Sequence, residues 1–197
     1  MSMRSLAIAV SMGITVSGLP AHAQPAADFI AGRQVMLLIG GGMGGSVDIY
    51  GRMVAPHIAR HLHATQPPAI TARNYPASGG VQAYMALAST AAADGSAFAI
   101  AARGPLTDPL WSNKPAGYDV RKFVWIGSMS GDSTSCYTMS HSSIRTLADA
   151  KIRETTMAAT GVTAESGKFP HALSATIGTR FKVIAGYSGT QGTLLAI

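Results

Sequence analysis

LLIGGGMGGSVD, residues 37–48, joins an apolar run to a cluster of glycines. The apolar part completes QVMLLIG at residues 34–40, which is typical of a strand buried on both faces of a sheet. Beyond the glycines, Val47, Tyr50 and Val54 recur at spacings of three and four, as on the inner face of a helix. A strand, a glycine turn and a helix in immediate succession predict a βα unit of a parallel sheet.

The same alternation of strand and helix continues along the chain. The first half predicts strands at residues 69–73 and 96–102 and a helix at residues 81–92. The second half predicts strands at residues 123–130, 136–141, 155–161 and 181–187 and helices at residues 143–154, 169–178 and 189–197. A polar segment containing glycine and proline, near Lys114 to Arg121, separates the halves. We therefore expect two α/β lobes, at residues 24–116 and 117–197.

The first 23 residues are typical of an export signal. Arg4 supplies the positive charge, residues 6–19 are apolar, and Ala21 and Ala23 form the small-x-small cleavage pattern. The apolar stretch is shorter than the roughly 20 residues that a membrane-spanning helix needs. We expect cleavage after Ala23 and a mature protein outside the cytoplasm.

The composition favours an anionic ligand over nucleic acid. The 15 lysine and arginine residues exceed the 9 acidic residues and give a formal net charge of +6. This excess fits an anionic partner or simply a basic surface, but no basic run and no aromatic stripe indicates nucleic-acid binding. The single cysteine, Cys136, excludes an intrachain disulfide. Cys136 and Trp125 lie in apolar runs and are predicted to be core residues.

Four loops that follow predicted strands are rich in glycine or small hydroxyl residues. They lie at residues 40–46, 78–80, 103–107 and 161–166, and each precedes a helix. Loops at the carboxyl ends of parallel strands gather at one edge of a sheet. The first N–H groups of each helix lack intrahelical partners and carry the positive end of the helix dipole. These loops are therefore predicted to form a binding site for an anion.

A dinucleotide is an alternative ligand for the first loop, because Gly40, Gly42 and Gly45 have the spacing G-x-G-x-x-G. That site also needs an acidic residue at the end of the second strand, where Arg73 and Asn74 stand instead. An arginine there can hold the 2′-phosphate of NADP, so an NADP-dependent Rossmann-type oxidoreductase is the alternative function. The predicted export weighs against it, since exported proteins rarely meet a nicotinamide cofactor.

The ordered set of motifs resembles one known family, the solute-binding receptors of tripartite tricarboxylate transporters (Bug or TctC type). The resemblance begins near Arg33 and runs to the last residue through LLIGGGMGGSVDIYGRMVAPHIARHL, NYPASGG, ADGSAFAIAARGPL, VWIGSMSGDS, IRTLADA, ATG and FKVIAGYSGT. It implies a two-lobed, type II periplasmic-binding-protein-like fold with mostly parallel sheets and helices on both faces. It also implies a periplasmic location and a receptor that captures a small carboxylate and delivers it to integral membrane subunits. We expect this receptor to be a monomer.

The resemblance implies a set of ligand-binding residues. They are Gly44, Gly45, Ser46 and Asp48 in the first loop, Ser78, Gly79 and Gly80 in the second, and Thr160, Gly161, Thr163, Ser166 and Tyr187 in the other lobe. Two residues depart from the family pattern, Met43 in place of proline and Ser46 in place of a third glycine. Family members also continue further and return to the first lobe, so we expect the C-terminal part to be missing here. A non-functional truncated remnant is a second alternative.

The individual polar residues do not indicate a catalytic, metal or cofactor site. Asp48, in the first helical turn, is expected to cap free N–H groups, and direct ligand contact is the other interpretation. His57 and His61 have the i, i+4 spacing of a metal site, with His63 nearby, but no carboxylate lies at helical spacing. We interpret them as a solvated face and expect no metal. No Ser-His-Asp spacing or G-x-S-x-G motif is present, so we expect neither an enzyme nor a cofactor.

Overall fold

The computed structural model describes residues 29–63, 65–111, 116–131 and 133–197. The predicted export signal lies outside these residues, as does part of the predicted boundary between lobes. The strands are β1 (Gln34–Gly40), β2 (Ala69–Asn74), β3 (Ala97–Ala101), β4 (Thr155–Ala159) and β5 (Phe181–Ala185). The helices are α1 (Ser46–Leu62), α2 (Val81–Ser89), α3 (Gly104–Trp111), α4 (Leu147–Ile152), α5 (Glu165–Ile177) and α6 (Gly189–Leu195). Short 3₁₀ turns occupy Ala77–Gly80 and Val120–Lys122.

The strands form two parallel sheets. In the first sheet β1 lies between β2 and β3 and pairs with both in parallel. In the second sheet β4 pairs in parallel with β5. Each parallel connection carries a helix, because a crossover must return the chain to the same edge of the sheet. The predicted α/β class, with parallel sheets and helices on both faces, is confirmed.

The core of the first sheet lies between β1 and α1. Leu37 and Ile39 are fully buried and pack with Ala55 of α1. Gly51 allows the helix to approach closely, since a Cβ there would lie 3.0 Å from Ile100 Cγ2 and 3.2 Å from Ile39 Cδ1. The alternation of side chains along a strand directs Leu38 to the opposite face, where α2 packs. The continuous apolar run thus reflects a strand that is covered on both faces, as its sequence predicts.

The segment at residues 123–141 corrects the sequence analysis. Its described residues, 123–131 and 133–141, contain neither of the two strands predicted there, and Val124 and Ile126 are 93% and 84% exposed. Cys136 is exposed and Trp125 is 54% exposed, so their prediction as core residues is wrong. An apolar run becomes a strand only when a neighbouring strand supplies hydrogen-bond partners. Within the part of the chain that the structure describes, the second sheet consists of β4 and β5 alone.

Aromatic rings attach the segment after α3 to the first sheet. The ring of Tyr84 in α2 stacks on that of Tyr118 at a centroid distance of 5.4 Å, and Phe123 packs against both. The Tyr118 hydroxyl donates to the Pro105 carbonyl at 2.7 Å. Burial, together with the nearby charge of Asp108, raises the pKa of Tyr118 to about 12.

Among the described helices, none combines the length and apolar character needed to cross a membrane.

Candidate functional site

A cavity of about 790 Å³ opens at the carboxyl ends of the strands. On the side of the first sheet it is lined by residues that follow β1, β2 and β3, among them Gly42, Gly45, Ser46, Pro76, Gly79 and Ala102. On the side of the second sheet it is lined by residues that follow β4 and β5, among them Thr160, Glu165, Ser166, Tyr187, Gly189 and Thr190. All five strands therefore contribute to one site, in the position expected for a ligand of a parallel α/β fold.

The structure separates the predicted ligand-binding residues into two groups. Those that line the cavity are Gly45, Ser46, Gly79, Thr160, Ser166 and Tyr187. Those that lie in the same loops without lining it are Gly44, Asp48, Ser78, Gly80, Gly161 and Thr163. The members of the second group shape the loops through the contacts described below. Their proposed contacts with a ligand stay predictions.

Asp48 holds the first glycine loop in place. Its Oδ2 accepts a hydrogen bond from the Gly44 backbone N–H at 2.9 Å. Its Oδ1 accepts from Arg52 Nε and from Asn74 Nδ2, both at 2.8 Å. Asn74 Nδ2 also lies 3.1 Å from the Gly41 carbonyl oxygen, to which it donates. The carboxylate thus connects the loop after β1, the helix α1 and the end of β2.

The ionised form of Asp48 is stabilised although its side chain is only 5% exposed. Burial by itself raises the pKa of a carboxyl group. At Asp48 the hydrogen bonds from Gly44, Asn74 and Arg52, together with the charge of Arg52, outweigh burial and lower the pKa below its ordinary value of 3.8. The loop is therefore built around a buried carboxylate that stays charged at neutral pH.

The second loop has an unusual backbone. Ser78, Gly79 and Gly80 all have positive φ, at 55°, 62° and 97°. Glycine adopts this region at little cost, whereas Ser78 carries the strain of a side chain there. A Cβ on Gly80 would lie 2.7 Å from the Gly40 carbonyl oxygen, so the first and second loops pack backbone against backbone.

The loops of the two sheets also contact each other. The Thr163 hydroxyl donates to the Ser78 carbonyl at 2.8 Å. A Cβ on Gly79 would lie 2.8 Å from Ala164 Cβ, and one on Gly161 would lie 2.7 Å from the Gly79 nitrogen. Side chains at these glycines would force the loops apart. The cavity is therefore closed along this side by direct contact between the two sheets' loops.

The cavity offers backbone N–H groups and hydroxyls rather than lysine or arginine side chains, and His141 is the one basic side chain in its described lining. Lysine and arginine are absent from its lining within the described residues, and Glu165 is the one carboxylate there. The helices α1 and α5 both begin at the cavity, and neither N-cap residue, Gly45 or Ala164, makes a side-chain cap. The first N–H groups of a helix lack an acceptor four residues earlier, although in α5 the Gly167 N–H donates to the Ala164 carbonyl at 3.0 Å. The arrangement suits an anion held by backbone N–H groups and hydroxyls.

The sequence analysis missed one wall of the cavity. Residues 134–139 line it, including Cys136, and so do His141, Ser142 and Ser143. The sequence predicts a strand at residues 136–141 and a helix that begins at Ser143, whereas the structure has neither at residues 134–143, which form an irregular segment. The high frequency of hydroxyl residues in STSCYTMSHSS was a signal against a core strand.

Gly40, Gly42 and Gly45 of the dinucleotide alternative line the same cavity, whereas Arg73 and the histidines considered for a metal lie elsewhere. The guanidinium of Arg73 lies 5.2 Å from the centre of the Tyr75 ring, beside a separate depression of about 400 Å³. His57 contacts Arg60 Nη2 through Nδ1 at 3.0 Å, and His63 Nδ1 accepts from the Gln66 N–H. Within the described ranges no three histidine, cysteine or acidic side chains are grouped as metal ligands.

Comparison with known proteins supports the fold. No protein-family model matches the chain, and no curated protein matches it in sequence. Among solved structures, the chain is similar to Rpa4515 of R. palustris, determined with adipate, at a TM-score of 0.57 and 19% sequence identity. The match covers 83% of this chain and 55% of that chain, so this chain spans about half the length of its structural neighbour. At this level of identity the similarity establishes the α/β architecture, consistent with a type II periplasmic-binding-like fold.

Proposed function

We propose that this protein is a periplasmic receptor that captures a small organic carboxylate and passes it to a tripartite tricarboxylate-type transporter. One observation carries the proposal: the starts of α1 and α5, one beside each sheet, meet at a single cavity whose described lining residues offer backbone N–H groups, hydroxyls and the His141 ring, and include no lysine or arginine. The protein binds its ligand without transforming it and needs neither metal nor cofactor.

The donors match a carboxylate in chemistry. Ser46 offers a backbone N–H at the first position of α1 and a hydroxyl, and Thr160, Ser166 and Thr190 add hydroxyls from the second sheet's loops. Hydrogen bonds from such groups to a charged acceptor contribute about 1.5–3 kcal/mol each. Two or three of them give a small carboxylate an affinity useful for capture. The adipate in the structure of Rpa4515 supports this ligand class.

The same geometry disfavours the dinucleotide alternative. Binding of NADP through the first loop requires a cation at the end of β2 that reaches the ribose phosphate. Arg73, the residue at that position, contacts the Tyr75 ring and does not line the cavity. A small carboxylate needs no such cation, because a helix start can balance the single charge of each carboxylate group.

The transport role rests on the sequence. The predicted export signal supports a periplasmic location, and the resemblance to tripartite tricarboxylate receptors supports delivery to integral membrane subunits. The contact between Thr163 and Ser78 supports a closed arrangement of two lobes around the ligand. We propose that the membrane subunits bind this closed form and that the receptor acts as a monomer.

A thermal-unfolding panel tests the ligand class. Purified protein is heated with succinate, adipate, citrate, glutamate, benzoate or NADP, and adipamide serves as a neutral analogue of adipate. A ligand at a hundred times its Kd adds about 2.7 kcal/mol of stability, which is seen as a higher midpoint. The proposal expects a shift with at least one carboxylate and none with adipamide. A shift with NADP alone supports the oxidoreductase, and no shift with any acid contradicts the receptor.

A further inference from the structure

Two ion pairs join the region around the start of α3 to the start of α5. Arg103 Nε lies 3.0 Å from Glu165 Oε1, and Arg103 Nη2 donates to Oε2 at 3.4 Å. Lys168 Nζ lies 3.1 Å from Asp108 Oδ1 and donates to the Gly104 carbonyl at 2.8 Å. Each charged side chain at the start of α5 thus has an opposite charge facing it from residues 103–108.

The backbone holds the first pair together. A Cβ on Gly104 would lie 2.7 Å from the Thr163 carbonyl oxygen and 2.9 Å from the Glu165 nitrogen. The main chains of the two elements are therefore in direct contact at Gly104. Because Arg103 directly precedes Gly104, this contact fixes the position of its backbone beside Glu165. Backbone packing therefore holds the two side chains near each other in addition to their opposite charges.

Glu165 lines the cavity, whereas Arg103 does not. An unpaired carboxylate in the wall would repel an anionic ligand. A guanidinium within hydrogen-bond distance balances that charge and orients the carboxylate at the same time. We propose that Arg103 is a positioning residue of the carboxylate site. Its guanidinium binds the Glu165 carboxylate and balances its charge, so that the cavity accepts an anion. This inference rests on the proposed function.

Calorimetric titration of four variants tests the inference. Arg103→Ala leaves Glu165 unpaired, and Arg103→Lys keeps the positive charge. The double variant Arg103→Ala/Glu165→Gln removes both charges. Arg121→Ala is the matched control, because it removes an arginine from an exposed pair with Asp119 and changes the net charge equally. Adipate is the first titrant and benzoate the second, at low and at high salt.

We expect Arg103→Ala to weaken binding about tenfold, the effect of one like charge within several ångströms at the edge of a protein. The loss shrinks at high salt, since ions screen the repulsion. The double variant restores the wild-type Kd, and Arg103→Lys and Arg121→Ala stay near it. A double variant as weak as Arg103→Ala, or a loss independent of salt, overturns the inference and leaves the receptor standing. Wild-type protein that binds neither acid contradicts the proposed function, and this inference with it.

Discussion

Removal of the Asp48 carboxylate should destabilise the whole first sheet. Asp48→Ala deletes the acceptor of three hydrogen bonds, from the Gly44 N–H, Arg52 and Asn74. Hydrogen bonds to a charged group contribute about 1.5–3 kcal/mol each, but they do not simply add. The Arg52 side chain is 47% exposed, so its guanidinium can hydrogen-bond to water in the variant, and Asn74 keeps its hydrogen bond to the Gly41 carbonyl. We therefore expect a loss of about 3 kcal/mol.

Asp48→Asn separates charge from shape. The amide keeps the volume of the carboxylate, but its NH₂ group faces donors where the carboxylate offered an acceptor. We expect it to cost about 2 kcal/mol for the charge-assisted bond that is lost and the clash of donors that replaces it. Asp119→Asn is the control, because Asp119 pairs with Arg121 at the surface and joins no loop to the sheet. Its unfolding midpoint should stay near that of the wild type.

Urea unfolding at several pH values measures these effects. With an m-value of about 2 kcal/mol/M, Asp48→Ala should lower the urea midpoint by about 1.5 M at pH 7. The folded protein holds the pKa of Asp48 below 3.8, so its contribution is fully present above pH 3.8 and is lost as the pH falls through the folded pKa. The gap between wild type and Asp48→Ala therefore narrows only at strongly acidic pH. A gap under about 0.5 kcal/mol at pH 7 refutes the reasoning, since surface substitutions reach that size.

Three further predictions concern the loops and the cavity wall. Gly79→Ala should cost about 2 kcal/mol in urea unfolding, because φ is 62° and the new Cβ would lie 2.8 Å from Ala164 Cβ; an unchanged midpoint contradicts the loop contact. Lys168→Met leaves Asp108 unpaired and should cost about 2–4 kcal/mol, which Asp108→Asn in the same protein largely recovers; equal losses in single and double variants contradict the pair. Cys136 should react with iodoacetamide in the native protein and more slowly once a carboxylate is bound; inertness without ligand contradicts its exposure.

The sequence predicts the first βα unit well because its signals are local. A run buried on both faces and a helical period both lie within residues 34–62, and the structure follows them. The predicted strands at residues 123–141 fail because their formation depends on a partner strand, which no local pattern can reveal. The contact of Asp48 with Asn74 spans 26 residues, and its geometry exists only after β1 and β2 have paired.

The sequence predicts that the glycine loops gather at the carboxyl ends of the parallel strands, and the structure has Gly45, Ser46 and Gly79 of the first two loops in the lining of the cavity. That these residues bind a ligand stays a prediction. Which residue of a glycine loop lines the cavity depends on the backbone angles of the folded loop: Gly44, at φ 74°, does not line it, whereas Gly45 and Ser46 do. The wall at residues 134–139 has no regular pattern and could be found only from the folded chain.

The most direct measurement of the central claim compares Ser46→Ala with Ser46→Pro in titrations with adipate and benzoate. Alanine removes the hydroxyl, whereas proline at the first position of α1 also removes the backbone N–H. The helix tolerates proline there, and Gly45, at φ −75° and ψ 165°, has the extended backbone that must precede it. If the helix start binds the carboxylate, Ser46→Pro binds at least about tenfold more weakly than Ser46→Ala, at equal unfolding midpoints. Equal affinities for the two variants would contradict the claim that backbone N–H groups at this loop hold the ligand.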